Sequence, residues 1–181
     1  MAAQQALNVE QIRGLVAELA ERLRESSTEY RLVIAGGALL AWHGLRDSTH
    51  DVDSLTYLDE AIRTKIADIA AEHDLASNWL NHNARPFTPA TLETESCKEI
   101  FRTSSLSLLG VPLHLLFLMK LDRANPADVA DMIELWPLVR RHFSSFNDVA
   151  RQYYEAYPLA QEDEYLTSFI AEIAREAESD S

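Results

Sequence analysis

The chain is poor in cysteine, in glycine and in positive charge. A single cysteine, Cys97, excludes an internal disulfide and a thiolate metal cluster, and suits a reducing compartment. Lys and Arg number 16 against 29 Asp and Glu, for a net charge of −13. Duplex nucleic acid is held by many cationic contacts to phosphate, so that deficit argues against extensive duplex binding and leaves only local nucleic-acid contact. Long hydrophobic runs are missing too. The longest, LSLLGVPLHLLFLMKL, is too short to span a bilayer and is interrupted by Pro112 and His114, so it reads as buried core with no membrane contact. The opening MAAQQALNVEQ has no basic stretch ahead of an apolar one, so no secretory leader is expected. Together these absences favour a cytoplasmic location.

What remains is sufficient for a core. With 181 residues, 47% of them hydrophobic, the chain fits one globular domain with a helical extension, and two full domains would be cramped. The acidity is uneven. Residues 151–181 hold eight Asp or Glu against two Arg, a net of −6 that leaves −7 for the other 150 residues, and the tail reads as a solvated helix face.

Asn8 and Gln11 have capping-box spacing ahead of a stripe of Ile12, Leu15, Val16, Leu19 and Leu23, predicting a helix to about Glu25 that Ser26, Ser27 and Thr28 end. YRLVIAG reads as a strand, GALLAWHG as a short helix closed by Gly44, and DVDSLTYL as a second strand. Asp59 caps a helix to about His73. Residues 76–97, with Pro86 and Pro89, read as a long loop with room for one short helical turn, and loops of that length tend to be functional or mobile. Strands follow at about Glu99–Arg102 and Leu106–Leu109, then a helix over Leu113–Arg123 entered through Pro112. Asn125 and Pro126 begin another, expected to stop at about Leu135 before Pro137. Two more, about Phe146–Ala156 and Leu159–Ala177, complete the chain. The expected fold class is α/β (α+β), a small mixed sheet with a helical C-terminal extension, divided as residues 1–124 and 125–181.

Three of the five glycines, Gly36, Gly37 and Gly44, fall within nine residues of one another, between a β-branched run and a small-residue helix. The Gly-Gly pair is followed by thirteen residues and then by Asp51 and Asp53 inside an apolar run. Alternation along a strand puts both carboxylates on one side and Val52 on the other. Carboxylates that close repel unless a cation lies between them, and Mg²⁺ takes an oxygen shell of one or two carboxylates, substrate phosphates and water. Glycines at a strand–helix junction allow a tight turn and let backbone N–H groups approach a phosphate. Either element alone reads as a plain turn or an exposed strand face; the order and spacing, with Arg46 and Thr49 just ahead of the aspartates, point to a phosphate and metal site.

On these residues the chain resembles the polymerase-beta-like nucleotidyltransferase superfamily, whose first motif sets a Gly-Gly or Gly-Ser pair before an Asp-x-Asp strand. It is more closely similar to minimal bacterial nucleotidyltransferase-like domains related to abortive-infection type toxins, through Arg46-x-x-Thr49-x-Asp51-x-Asp53. MKLDRANPADVAD, residues 119–131, resembles that family's Lys- and Arg-bearing helix followed by Asp-x-x-Asp, and NWLN at 78–81 also recurs there. The resemblance covers about residues 30–136. It implies Asp51 and Asp53 as catalytic metal ligands, Gly36 and Gly37 as triphosphate contacts with Arg46 and Thr49 beside them, and Lys120 as a phosphate-neutralising side chain. Asp128 or Asp131 would complete the site, and Asp131 has less structural excuse than Asp128, which falls where an acid favours a helix start. Snorkelling at a helix end explains Lys120 as well as phosphate binding does. His114 reads as a half-buried core histidine.

Full polymerase-type sites add a third carboxylate on a neighbouring strand, and here that strand reads SLSLLG with none; Glu99 is the nearest acid. The resemblance therefore implies one of two functions. The first is an Mg²⁺- or Mn²⁺-dependent transfer of NMP from an NTP to an RNA, protein or small-molecule acceptor, as in the toxin of a toxin–antitoxin or phage-defence module. The second is a catalytically degenerate module that keeps the fold and binds a protein partner such as a cognate antitoxin.

Overall fold

The computed structural model describes residues 5–26 and 28–179. Ser27, part of the expected helix end, and the first four residues of the leader reading lie outside the described residues. The chain divides into two compact units, one formed by the chain up to Pro86 with Thr94–Val111, the other by Phe87–Glu93 with the chain from Pro112 onward. Among the described residues no helix is long and apolar enough to cross a membrane.

The first unit is a mixed sheet with three helices. Helix α1, Val9–Arg22, starts where Asn8 accepts from the Gln11 amide and Gln11 answers to the Asn8 amide, the reciprocal box its sequence predicts. Strand β1, Tyr30–Ala35, is buried at every position except Arg31, which is what its β-branched and aliphatic run requires of a central strand. It leads without a linker into α2, Gly36–Trp42. Strand β2, Val52–Ser54, is shorter than the apolar run suggested, because after Ser54 the chain bends: the Ser54 hydroxyl bonds to the Thr56 backbone, and the Thr56 hydroxyl oxygen accepts from the Val33 amide of β1. Asp59 caps α3, Glu60–Glu72, by accepting from the Ile62 amide.

The stretch expected as a long loop with one short helical turn is more structured. It contains strand β3, Leu80–Asn81, and two single 3₁₀ turns at Arg85–Phe87 and Thr94–Ser96. A two-residue strand has no periodicity to read; it exists because β2 offers it a parallel partner. Strands β4, Lys98–Arg102, and β5, Leu106–Gly110, form an antiparallel hairpin. The sheet order is β3-β2-β1-β5-β4, with β1 parallel to β5, antiparallel to β2, and β2 parallel to β3. Cys97 precedes β4, and its burial pushes the thiol above the usual range.

The second unit is helical: α4, Leu113–Arg123; α5, Pro126–Val139; α6, Phe146–Ala156; and α7, Leu166–Ser179. Helix α4 falls in this unit, where it packs on α5 and its lysine is bound. Two expectations are corrected. Helix α5 continues through Pro137, because the burial of Leu135, Trp136 and Val139 around it offsets the one backbone hydrogen bond that the proline removes. Helix α7 begins at Leu166, not Leu159: Leu159 is 99% exposed, and the acidic stretch after it offers no apolar face to bury. Phe117, Trp136 and Phe143 pack as an aromatic cluster, Trp136 and Phe143 stacking at 6.3 Å between centroids.

Candidate functional site

The strand–helix turn at Ala35–Gly37 and the strand entering from Asp51 lie side by side. Ala35 is the register partner of Asp53 in the β1–β2 pair, so the Asp53 carboxylate falls directly against the start of α2. A Cβ on Gly36 would overlap Asp53 Oδ2, and Gly36 also has a φ of +68°, where a side chain is strained. A Cβ on Gly37 would come within 2.7 Å of Thr49 Oγ1 and 3.2 Å of Arg46 Nη1. Both glycines therefore have an internal reason to be glycine: they let three side chains, Asp53, Thr49 and Arg46, approach the backbone of the turn.

Asp51 lies just ahead of β2, not within it as expected, and it is held from another direction. Asn81 is the β3 register partner of Asp53, and its Nδ2 donates to Asp51 Oδ2 at 3.2 Å. One residue thus ties both aspartates, orienting Asp51 and sitting opposite Asp53. Asn81 is itself buried, with its Oδ1 accepting from the Asn83 amide at 2.9 Å. Thr49 is buried and exchanges two backbone hydrogen bonds with Leu7, at 2.6 and 2.9 Å, which pins the segment leading to Asp51.

Six of the expected residues, Gly36, Gly37, Arg46, Thr49, Asp51 and Asp53, are therefore gathered in the first unit. Asn81 was absent from the expected site; the NWLN stretch was its only signal, and β3 is too short to announce itself. Glu99 is an exposed β4 residue bonded to Arg102 at 3.2 Å, and β5 carries no acid.

Lys120 and Asp131 belong to the second unit and are partners of each other. The Lys120 ammonium, on a side chain only 4% exposed, donates to Asp131 Oδ2 at 2.6 Å and to Asp128 Oδ1 at 3.0 Å. Arg123 adds a 2.7 Å bond to the same Asp128 oxygen. Burial draws the Asp128 carboxyl upward, but the hydrogen bonds from Arg123 and Lys120 outweigh it and hold the group below the ordinary aspartate range.

Among the described residues no group of three or more His, Cys, Asp or Glu is placed to hold a metal ion. The pair Asp51 and Asp53 matches the one or two carboxylates that Mg²⁺ takes alongside nucleotide phosphates and water, and Asp51 keeps Oδ1 beyond its bond to Asn81. Comparison with family models, with curated proteins and with solved structures found no match.

The glycines can be tested directly. Gly37→Val should destabilise the protein by about 1–3 kcal/mol, because the new side chain must push Thr49 and Arg46 aside in a packed turn. Gly14→Ala, in α1, is the control: its Cβ meets nothing within 4 Å, and a gain of about 0.5–1 kcal/mol is expected from helix propensity. Urea unfolding of the two variants beside the parent measures both. A Gly37→Val protein as stable as the parent would show that the turn is not packed as described.

Proposed function

We propose that the chain is a metal-dependent nucleotidyltransferase that moves an NMP from an NTP to an acceptor. The observation that carries this reading is the placement of the Asp53 carboxylate against the Gly36 turn, with Asp51 oriented beside it by Asn81. Asp51 and Asp53 would hold Mg²⁺, or Mn²⁺, which when bound supplies neutralisation of charge on the reacting phosphate. Gly36 and Gly37 present backbone, not side chain, to the space beside the aspartates. Arg46 and Thr49 flank that turn and would contact the triphosphate. Asn81 keeps the Asp51 carboxylate from swinging away, so the pair is preorganised instead of being assembled at each turnover. Lys120 and Asp131 are left out of the nucleotide site, since each already answers the other's charge.

One observation favours the second reading, a degenerate module bound to a protein partner: no acid stands on β5 to complete the pair. The two readings share the fold and part over the nucleotide. Thermal unfolding with each NTP and millimolar Mg²⁺ tests the first. A ligand that binds the native state alone stabilises it by about 2.7 kcal/mol at a hundredfold excess over Kd, so a clear rise in Tm with one or more NTPs is expected. No shift with any NTP would remove the nucleotide site and leave the partner-binding module.

A further inference from the structure

Away from the aspartates, the first unit carries a pocket of about 400 Å³ between the N-terminal half of α1 and the end of α3. Its apolar wall is Leu7, Leu15 and Leu75. Leu75 is set there by the way α3 stops: Asp74 turns left-handed at a φ of +54°, and the Leu75 amide closes back on the Ala70 carbonyl at 2.9 Å. The volume falls in the range of small-molecule sites, roughly 300–1,000 Å³.

A second observation comes from Gly14, which lines the same pocket in the interior of α1. Glycine there weakens the helix, and this one has no compensating task inside the protein: a Cβ would meet nothing within 4 Å. It contrasts with Gly36 and Gly37, whose missing side chains make room for neighbours in the chain. Gly14 is exposed, and its missing side chain leaves that side of the pocket open.

The rim defines its chemistry. Glu18 has one oxygen bonded to Arg22 and the other to His73 Nε2 at 2.7 Å, so its charge is already answered and calls for no cation. Gln5 brings a side-chain amide, and Gln11, whose Oε1 is taken by the Asn8 amide, keeps its NH₂ group as a donor. We propose that this pocket is a binding site for a small uncharged molecule with an apolar body and an amide-like edge. Leu7, in its wall, is the backbone partner of Thr49, so an occupant would rest against the backbone bridge that pins the aspartate segment.

Benzamide is a suitable probe, having an apolar ring and a neutral amide, and its binding is read independently of nucleotide. In a ¹⁵N NMR titration of the full chain, saturable shifts are expected at Gly14, Leu15, His73 and Leu75. Gly14→Leu should fill the pocket and weaken binding at least tenfold while Tm stays at or above that of the parent. Should that variant unfold, Leu75→Phe narrows the pocket from the opposite wall and carries the same forecast. Absence of saturable shifts, or equal affinity in the filled variants, would overturn the proposal. So would shifts along α1 that grow with protein concentration alone, since these would mark a second copy of the chain on that face.

Discussion

Asp53→Asn is expected to abolish Mg²⁺-dependent nucleotide transfer, with a loss of about a thousandfold or more, and to leave the fold intact. The carboxamide keeps the size and most of the hydrogen bonding of the side chain that lies against Gly36, so the β1–β2 register of Ala35 with Asp53 should persist. What it removes is one of the two charges that would hold the metal, and charge stabilisation at the reacting phosphoryl group is commonly the largest part of such a rate. The measurement is label transfer from each NTP in a cell extract, with wild type and variant at matched soluble concentration. Growth on expression of each protein is followed in parallel. Undiminished transfer by the variant would end the metal-site reading. A growth phenotype shared by both proteins, with transfer by neither, would instead support the degenerate partner-binding module.

Lys120→Met should cost about 3–5 kcal/mol, the usual penalty for removing one member of a buried ion pair and stranding the other. Here two buried carboxylates would lose the ammonium, Asp128 at 1% side-chain exposure and Asp131 at 10%, while Arg123 still answers Asp128 from the edge. For a chain of this length such a loss lowers Tm by roughly 10 °C. The acid limb should move as well. The Asp128 carboxyl is held below its ordinary range in the folded protein, so its contribution is complete above the unfolded-state value and is lost as pH falls through the folded one. Weakening its cationic shell raises that folded value, and acid unfolding of Lys120→Met should begin closer to neutrality than that of the parent. Urea titrations at several pH values measure both effects. A change under about 1 kcal/mol would mean that the ammonium is not committed to Asp128 and Asp131, which would return Lys120 to consideration as a phosphate ligand.

The contrast between Lys120 and the Gly36–Asp53 turn shows what a motif can and cannot convey. Both were singled out by residue type and spacing. The glycines, Arg46, Thr49, Asp51 and Asp53 lie close together in sequence, so a strand, a tight turn and a returning strand suffice to gather them. Lys120, Asp128 and Asp131 sit at helical spacings that place opposite charges within reach across α4 and α5, and the same spacing satisfies an ion cluster as readily as a phosphate site. Residue type alone does not distinguish the two; the partner does.

What the sequence determined by itself was local. The Asn8–Gln11 box, the Asp59 and Asn125 caps, the run of β1 and the bounds of α4 follow from interactions within a few residues, and these elements form where they were expected. So does the alternation of buried Val52 with the flanking aspartates. Tertiary structure decided the rest. Strand β3 has two residues and no pattern of its own, yet it brings Asn81 to an aspartate thirty positions away. Helix α5 runs past a proline because burial on both sides outweighs one missing hydrogen bond. Leu7 reaches Thr49 only through a backbone bridge to a distant segment. In each case the energy comes from a partner far along the chain, and periodicity, propensity and capping carry no record of which partner the sheet order will supply.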